Sequence, residues 1–259
     1  MHKKLRIDYE KIARFLSVVV LLLTITVAIL FGLLGERTPT EAATDWYNQN
    51  WSYRQKISVD YTKVSNTDQT DFPVLLDLSD LSSGFFTNVQ TDGGDIVVTA
   101  ADGVTKLQRE LVSINTGGST GELWFKAPSL SSSTNTDFWI YYGNATANEG
   151  NSTAVWSNGY ELVQHMNEDP SGSAPQLIDS TLNDNDGTSN GTMVTGDLVT
   201  GKVGNALNFD GTDDYFDLGN GSSLELSLPM TISSWVNVDS LAADNYILSN
   251  DDNSSTYYG

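Results

Sequence analysis

The chain has no cysteine, which excludes disulfides, a thiol nucleophile and Cys-ligated zinc, so any β-structure it forms is held by packing alone. Histidine is almost as scarce. With only His2 and His165 present, a multi-histidine metal site cannot form, and a Ser/His/Asp triad in the body of the chain would have to use His165. Basic residues are few and lopsided. Lys3, Lys4, Arg6, Lys11 and Arg14 fall in the first 14 residues beside Asp8 and Glu10, which leaves 8 basic residues (13 less 5) against 31 acidic (33 less 2) beyond residue 34. So acidic a surface repels a phosphate backbone and attracts divalent cations, so nucleic acid is not an expected partner. A Walker loop, a Gly-x-Gly-x-x-Gly fingerprint and a His-Glu-x-x-His helix are also missing.

What is present begins with residues 15–34 (FLSVVVLLLTITVAILFGLL), an uncharged apolar run long enough, as a helix, to span about 30 Å of hydrocarbon. It predicts one N-terminal transmembrane helix, either a signal-anchor or a signal peptide. The basic residues 1–14 would stay cytoplasmic and everything after Gly35 would lie outside. Thr40-Glu-Ala42 offers a small-x-small cleavage site. The expected localisation is therefore the cell membrane, single-pass with the C-terminal part outside, or secreted if the segment is cleaved. The membrane is the expected partner of the helix, and residues 35–45 form a polar linker.

From residue 46 to about 155 the pattern changes to short strands. Ile57, Val59 and Tyr61 alternate with Lys56, Ser58 and Asp60. Residues 72–78 form a denser strand whose Pro73 lacks an N–H and so belongs at a strand start or an edge. Residues 95–99 and 105–114 flank Asp102-Gly103 and read as a hairpin. Residues 122–127 and 137–142 add two more strands. Several strands without a helical period predict an antiparallel β-sandwich. Trp46, Trp51, Trp124, Trp139, Tyr141 and Tyr142 are expected mostly to fill its core. Leu123 and Phe125 share one face and Trp124 the other, so Trp124 is the aromatic expected to face out and the candidate binding residue.

The fragments WSYRQKI (51–57), TDFPVLL (70–76), GELWFK (121–126) and FWIYYGN (138–144) resemble the family called domain of unknown function 2341. That resemblance implies a surface location and nothing catalytic. Further on, VQHMNE (163–168), DSTLNDNDGT (179–188), GKVGNALNFDG (201–211), DDY (213–215) and MTISSWV (230–236) resemble the opening half of a laminin-G-like (concanavalin A-like lectin/glucanase) jelly roll over 156–259, C-terminally incomplete. Physically, residues 206–209 read as a strand turning at Asp210-Gly211 into a return strand at 215–218. Ile232, Ser234, Val236 and Val238 read as a half-buried strand with Trp235 on its other face. A complete jelly roll has about eight strands, so the chain is expected to be a fragment of a longer frame. The expected fold class is thus all-β: an antiparallel β-sandwich plus a partial jelly-roll sandwich, preceded by one transmembrane helix.

No catalytic residue is assigned. His165 falls where the laminin-G-like pattern carries an aromatic or His on its first strand, which implies a structural role. The Glu-x-Asp-x-Glu strand of the related glucanases is absent, and without it no carboxylate pair about 5 Å apart is supported. The resemblance also implies calcium at a rim. Asp179, Asp184, Asp186, Asp210, Asp213 and Asp214 supply hard oxygen ligands, although ending a helix-loop-helix calcium pattern at Asp186-Gly187 puts Leu182 in the first ligand position. Six Asn-x-Ser/Thr sequons occur, at Asn50, Asn144, Asn151, Asn190, Asn220 and Asn253, and matter only if the host glycosylates the protein. The function these features predict is a non-catalytic cell-surface protein that binds a polysaccharide, surface glycan or other macromolecule for adhesion or substrate capture. The alternatives are a fragment of an extracellular glycan-degrading enzyme and a structural envelope or stalk component.

Overall fold

The computed structural model describes residues 45–238 and 247–249. Strands β1 (Tyr53–Val59), β6 (Thr136–Tyr142) and β3 (Val97–Ala100) form one antiparallel sheet in that order. Strands β2 (Gln69–Asp77), β5 (Thr120–Leu130) and β4 (Arg109–Asn115) form a second. Their alternation decides what lies between them. Leu76, Leu123, Phe125 and Ala127 point inward from the second sheet and meet Val98, Phe138, Ile140 and Tyr142 from the first. Burying a side chain of the larger type is worth about 1.5–3 kcal/mol, so this layer is the main source of stability. One end is closed by the six-residue helix α1 (Ser83–Asn88), which inserts Phe85 and Phe86.

Several expectations need correction. Tyr61 is not in β1; Asp60 caps a 3-10 turn there by accepting from the backbone N–H of Thr62, and Tyr61 is exposed. The hairpin read over 95–114 is only a local one. Leu107 N–H donates to the Val98 carbonyl across a turn in which Gly103 takes φ +75°. The chain then crosses to the other sheet, so β3 pairs with β6 and β4 with β5. The aromatics do not share one core. Tyr142 faces between the sheets, whereas Trp51 and Tyr141 lie on the outer face of the first sheet with Trp46, Tyr47 and Trp139. There the Arg54 guanidinium carbon sits 4.0 Å from the Trp139 ring centroid and 4.8 Å from that of Trp46.

Among the described residues beyond 156, four short strands make two two-stranded sheets, β7 (Thr188–Asn190) with β10 (Tyr215–Asp217) and β8 (Leu198–Thr200) with β9 (Asn205–Leu207). The strand expected to return from Asp210-Gly211 therefore pairs with β7 rather than with β9. Residues 230–238 form no strand; their alternation finds no partner sheet, and Trp235 is 78% exposed.

The membrane reading is corrected as well. Among the described residues no helix is long and apolar enough to cross a membrane. The longest helix among those residues, α1, has six residues, about 9 Å at 1.5 Å per residue against the 30 Å required. The expected span at 15–34 lies outside the described residues. The signal-anchor, the membrane as partner, and the single-pass or secreted localisation that rest on that helix are withdrawn. The fold that stands is all-β and sheet-rich.

Candidate functional site

The outer face of the second sheet carries a group of partly buried polar and aromatic side chains. Trp124 points there from β5, opposite the inward Leu123 and Phe125, but it is not bare. The chain after β6 turns back over this face through a 3-10 turn, Thr153–Trp156, whose first turn is capped by Ser152. Trp156 packs against Trp124 with ring centroids 4.9 Å apart, and Tyr160 meets Trp156 at 5.2 Å in an edge contact. His165 closes the group, 5.8 Å from Trp156 and 6.0 Å from Trp124. Trp156 is buried, Trp124 half-buried, and Tyr160 reaches solvent at 38% exposure.

Two carboxylates on adjacent strands bracket the imidazole. Glu110 of β4 lies 3.3 Å from His165 Nε2, and Glu122 of β5 lies 3.6 Å from Nδ1. Glu110 also accepts from the Trp156 indole at 2.5 Å and the Ser180 hydroxyl at 2.6 Å, and Glu122 accepts from the Trp124 indole at 2.7 Å. Burial pushes the Glu110 carboxyl up, but the hydrogen bonds from His165, Ser180 and Trp156 outweigh it and hold the group below the ordinary carboxylate range. Burial raises the Tyr160 hydroxyl and keeps it protonated.

This arrangement limits the chemistry. The two ring nitrogens of His165 face different carboxylates, so the three groups do not converge on one metal position. The only hydroxyl in the hydrogen-bonded cluster, that of Ser180, is bonded to Glu110 and not to the imidazole, which is not a nucleophile and base pair. A Gly-x-Ser-x-Gly elbow is not expected from the sequence, yet Gly187-x-Ser189-x-Gly191 has its spacing. Ser189 nevertheless lies in strand β7 and donates its hydroxyl to the Pro170 carbonyl at 2.7 Å, with no strand-to-helix turn beneath it.

The six candidate calcium ligands separate into two groups. Asp179 is buried and accepts from the backbone N–H groups of Val163, Thr181 and Asn185, while Asp186 accepts from the Asp179 N–H. These two carboxylates organise their own loop. Asp184 sits in that loop at φ +52°. Asp210, Asp213 and Asp214 come together, with carboxylate oxygens within 4.8 Å of one another. One Asp214 oxygen is buried without a partner.

Sequence reasoning finds Trp124 and its outward face from strand alternation alone. It misses Glu110, Glu122, Trp156 and Tyr160, because nothing local signals a carboxylate that waits for a histidine 55 positions away.

Residues 92–173 match the family model described as Domain of unknown function (DUF2341), so the chain contains a domain of that family. The match runs past residue 155 and takes in Trp156, Tyr160 and His165 together with Glu110 and Glu122. Nothing supports the expected laminin-G-like domain after residue 156. No curated protein and no solved structure matches the chain. What stands is a domain of unknown function without recognised catalytic residues among those described.

Proposed function

We propose that the chain is a non-catalytic binding module that takes a polysaccharide against Tyr160, the solvent-exposed end of an aromatic row that the buried Trp156 and half-buried Trp124 support from beneath. The observation that carries this reading is the continuity of the row, from Trp124 on the outer sheet face through Trp156 to the solvent-exposed Tyr160. Aromatic faces stack on the C–H groups of sugar rings, and Tyr and Trp offer an apolar body with a polar tip where one side stays wet. The acidic surface favours neutral or cationic glycans over anionic ones. The non-catalytic part of the reading is supported by the pairing of the His165 cluster with itself rather than with a nucleophile. Retardation of the full chain in native gels containing a panel of neutral polysaccharides tests it. At least one polysaccharide should retard the chain, and Tyr160→Ala should abolish the effect. Absence of retardation by every polysaccharide would favour a structural stalk.

A second reading is supported by the Asp210–Asp214 loop. Its three clustered carboxylates, one with a buried unpartnered oxygen, suit a calcium ion, which takes six to eight oxygen ligands. Millimolar calcium should then raise the melting temperature of the wild type but not of Asp213→Asn. An unmoved melting temperature in the wild type rejects this reading.

A further inference from the structure

We propose that His165 is a protonation-dependent latch, holding the segment that begins at Trp156 against the second sheet only while its ring carries both protons. The inference stands on the geometry of the seam and does not depend on whether the aromatic row binds a glycan. The side chains of His165, Glu110 and Glu122 are 10%, 12% and 8% exposed, so their charges are largely removed from water. Both ring nitrogens face carboxylates, at 3.3 and 3.6 Å. An imidazolium donates from both nitrogens, whereas a neutral imidazole keeps a lone pair on one of them. That lone pair would be held against a carboxylate, and two buried anions would be left without a cation between them, which is costly at low dielectric.

Among the described residues no other cation forms an ion pair with Glu110 or Glu122, although the turn between β8 and β9, which carries Lys202, approaches Glu122 at Gly204. From β4 it faces Glu110, from β5 Glu122 and Trp124, from the 3-10 turn Trp156, and Ser180 lies on the far side of Glu110. Lys126, next along the outer face of β5, is engaged with Ser157 and Asp71. On the segment that bears His165, the Glu161 carboxylate accepts from Asn183 and that of Glu168 from the Asn167 backbone. Both flanking carboxylates also receive indole N–H bonds, Glu110 from Trp156 and Glu122 from Trp124, and the bonds to Glu110 hold its carboxyl below the ordinary range. Loss of one proton from His165 therefore removes the charge that joins the two strands to the returning segment. The Trp156 indole bond to Glu110, which crosses the seam, reports its opening.

The test is nitrogen-15 NMR of the full chain across a pH series, following the His165 ring nitrogens and the solvent protection of the Trp156 indole N–H together. The chain has only two histidines, so His165→Gln identifies the ring signals. Where the seam is closed both ring nitrogens should carry protons. As His165 loses one on raising the pH, the Trp156 protection factor should fall about tenfold or more, and in His165→Gln it should be independent of pH over that range. A His165 ring with one proton while Trp156 stays protected overturns the proposal, as does the same loss of protection in His165→Gln. If His165→Gln does not fold, the wild type decides alone: a shared midpoint for the ring and indole signals supports the latch, and separate midpoints overturn it.

Discussion

The indole N–H of Trp156 donates to the Glu110 carboxylate at 2.5 Å, a bond that crosses the boundary drawn from sequence between residues 155 and 156. Together with Asn205 donating to Asn167 at 2.6 Å and Asn167 donating to the Val112 carbonyl at 3.2 Å, it ties the returning segment to β4. Glu110→Ala leaves the buried donors of Trp156 and Ser180 unpaired and should cost about 2 kcal/mol or more, read as a shift in urea midpoint.

The same residue sets an acid limit. Because the Glu110 carboxyl is held below its ordinary range, its contribution is fully present above the unfolded-state value and is lost as the pH falls through the lowered folded value. Unfolding followed by tryptophan fluorescence should show stability falling below about pH 4, and Glu110→Gln should shrink the acid limb relative to the wild type.

Asp95 should be among the most sensitive positions. It is fully buried, and its carboxylate accepts from the backbone N–H groups of Gln90, Gly143 and Asn144 while its carbonyl takes the Trp51 indole. Asp95→Ala orphans three donors and should destabilise by about 3 kcal/mol or more, or prevent folding. Circular dichroism during chemical unfolding measures it.

Asn151 imitates a strand. Its side-chain amide donates to the Leu111 carbonyl and its oxygen accepts from the Leu111 N–H, at 2.9 and 2.8 Å, which satisfies the edge of β4. Asn151→Ala removes both bonds to Leu111 and the acceptor of the Arg109 guanidinium at 2.8 Å. It should cost about 1–3 kcal/mol and speed amide exchange at Leu111. Because this side chain is hydrogen-bonded at both ends, the sequon at Asn151 is a poor glycosylation acceptor although the residue is exposed, like Asn50 and Asn220.

Arg54 between Trp46 and Trp139 is a stacked guanidinium, and a lysine cannot reproduce its planar contact. Arg54→Lys should lower stability by about 1 kcal/mol and release Trp46 first, seen as a rise in its solvent quenching.

What the sequence discloses follows the range of each signal. Alternation over three residues places Leu123 and Phe125 in the core and Trp124 outside, because a strand's two faces are a local property. Asp102-Gly103 marks a turn for the same reason. The sheet to which β3 belongs is not local: its partner β6 lies about 40 positions on, and the turn alone suggests the wrong neighbour. Alternation also misleads at Ile232 and Val236, which have the strand period but no sheet beside them. The cluster about His165 is the least legible, since it needs the register of β4 and β5 and the return of the chain at Trp156.

If the ligand lies against the aromatic row, the indole N–H spectrum of the full chain changes when a retarding polysaccharide is added. Shifts should be confined to Trp124 and Trp156 and be lost in Tyr160→Ala, while the indole signals of Trp46, Trp51 and Trp139 stay in place. Shifts at Trp46 and Trp139 with Trp124 and Trp156 unmoved would put the ligand on the opposite sheet and contradict this placement.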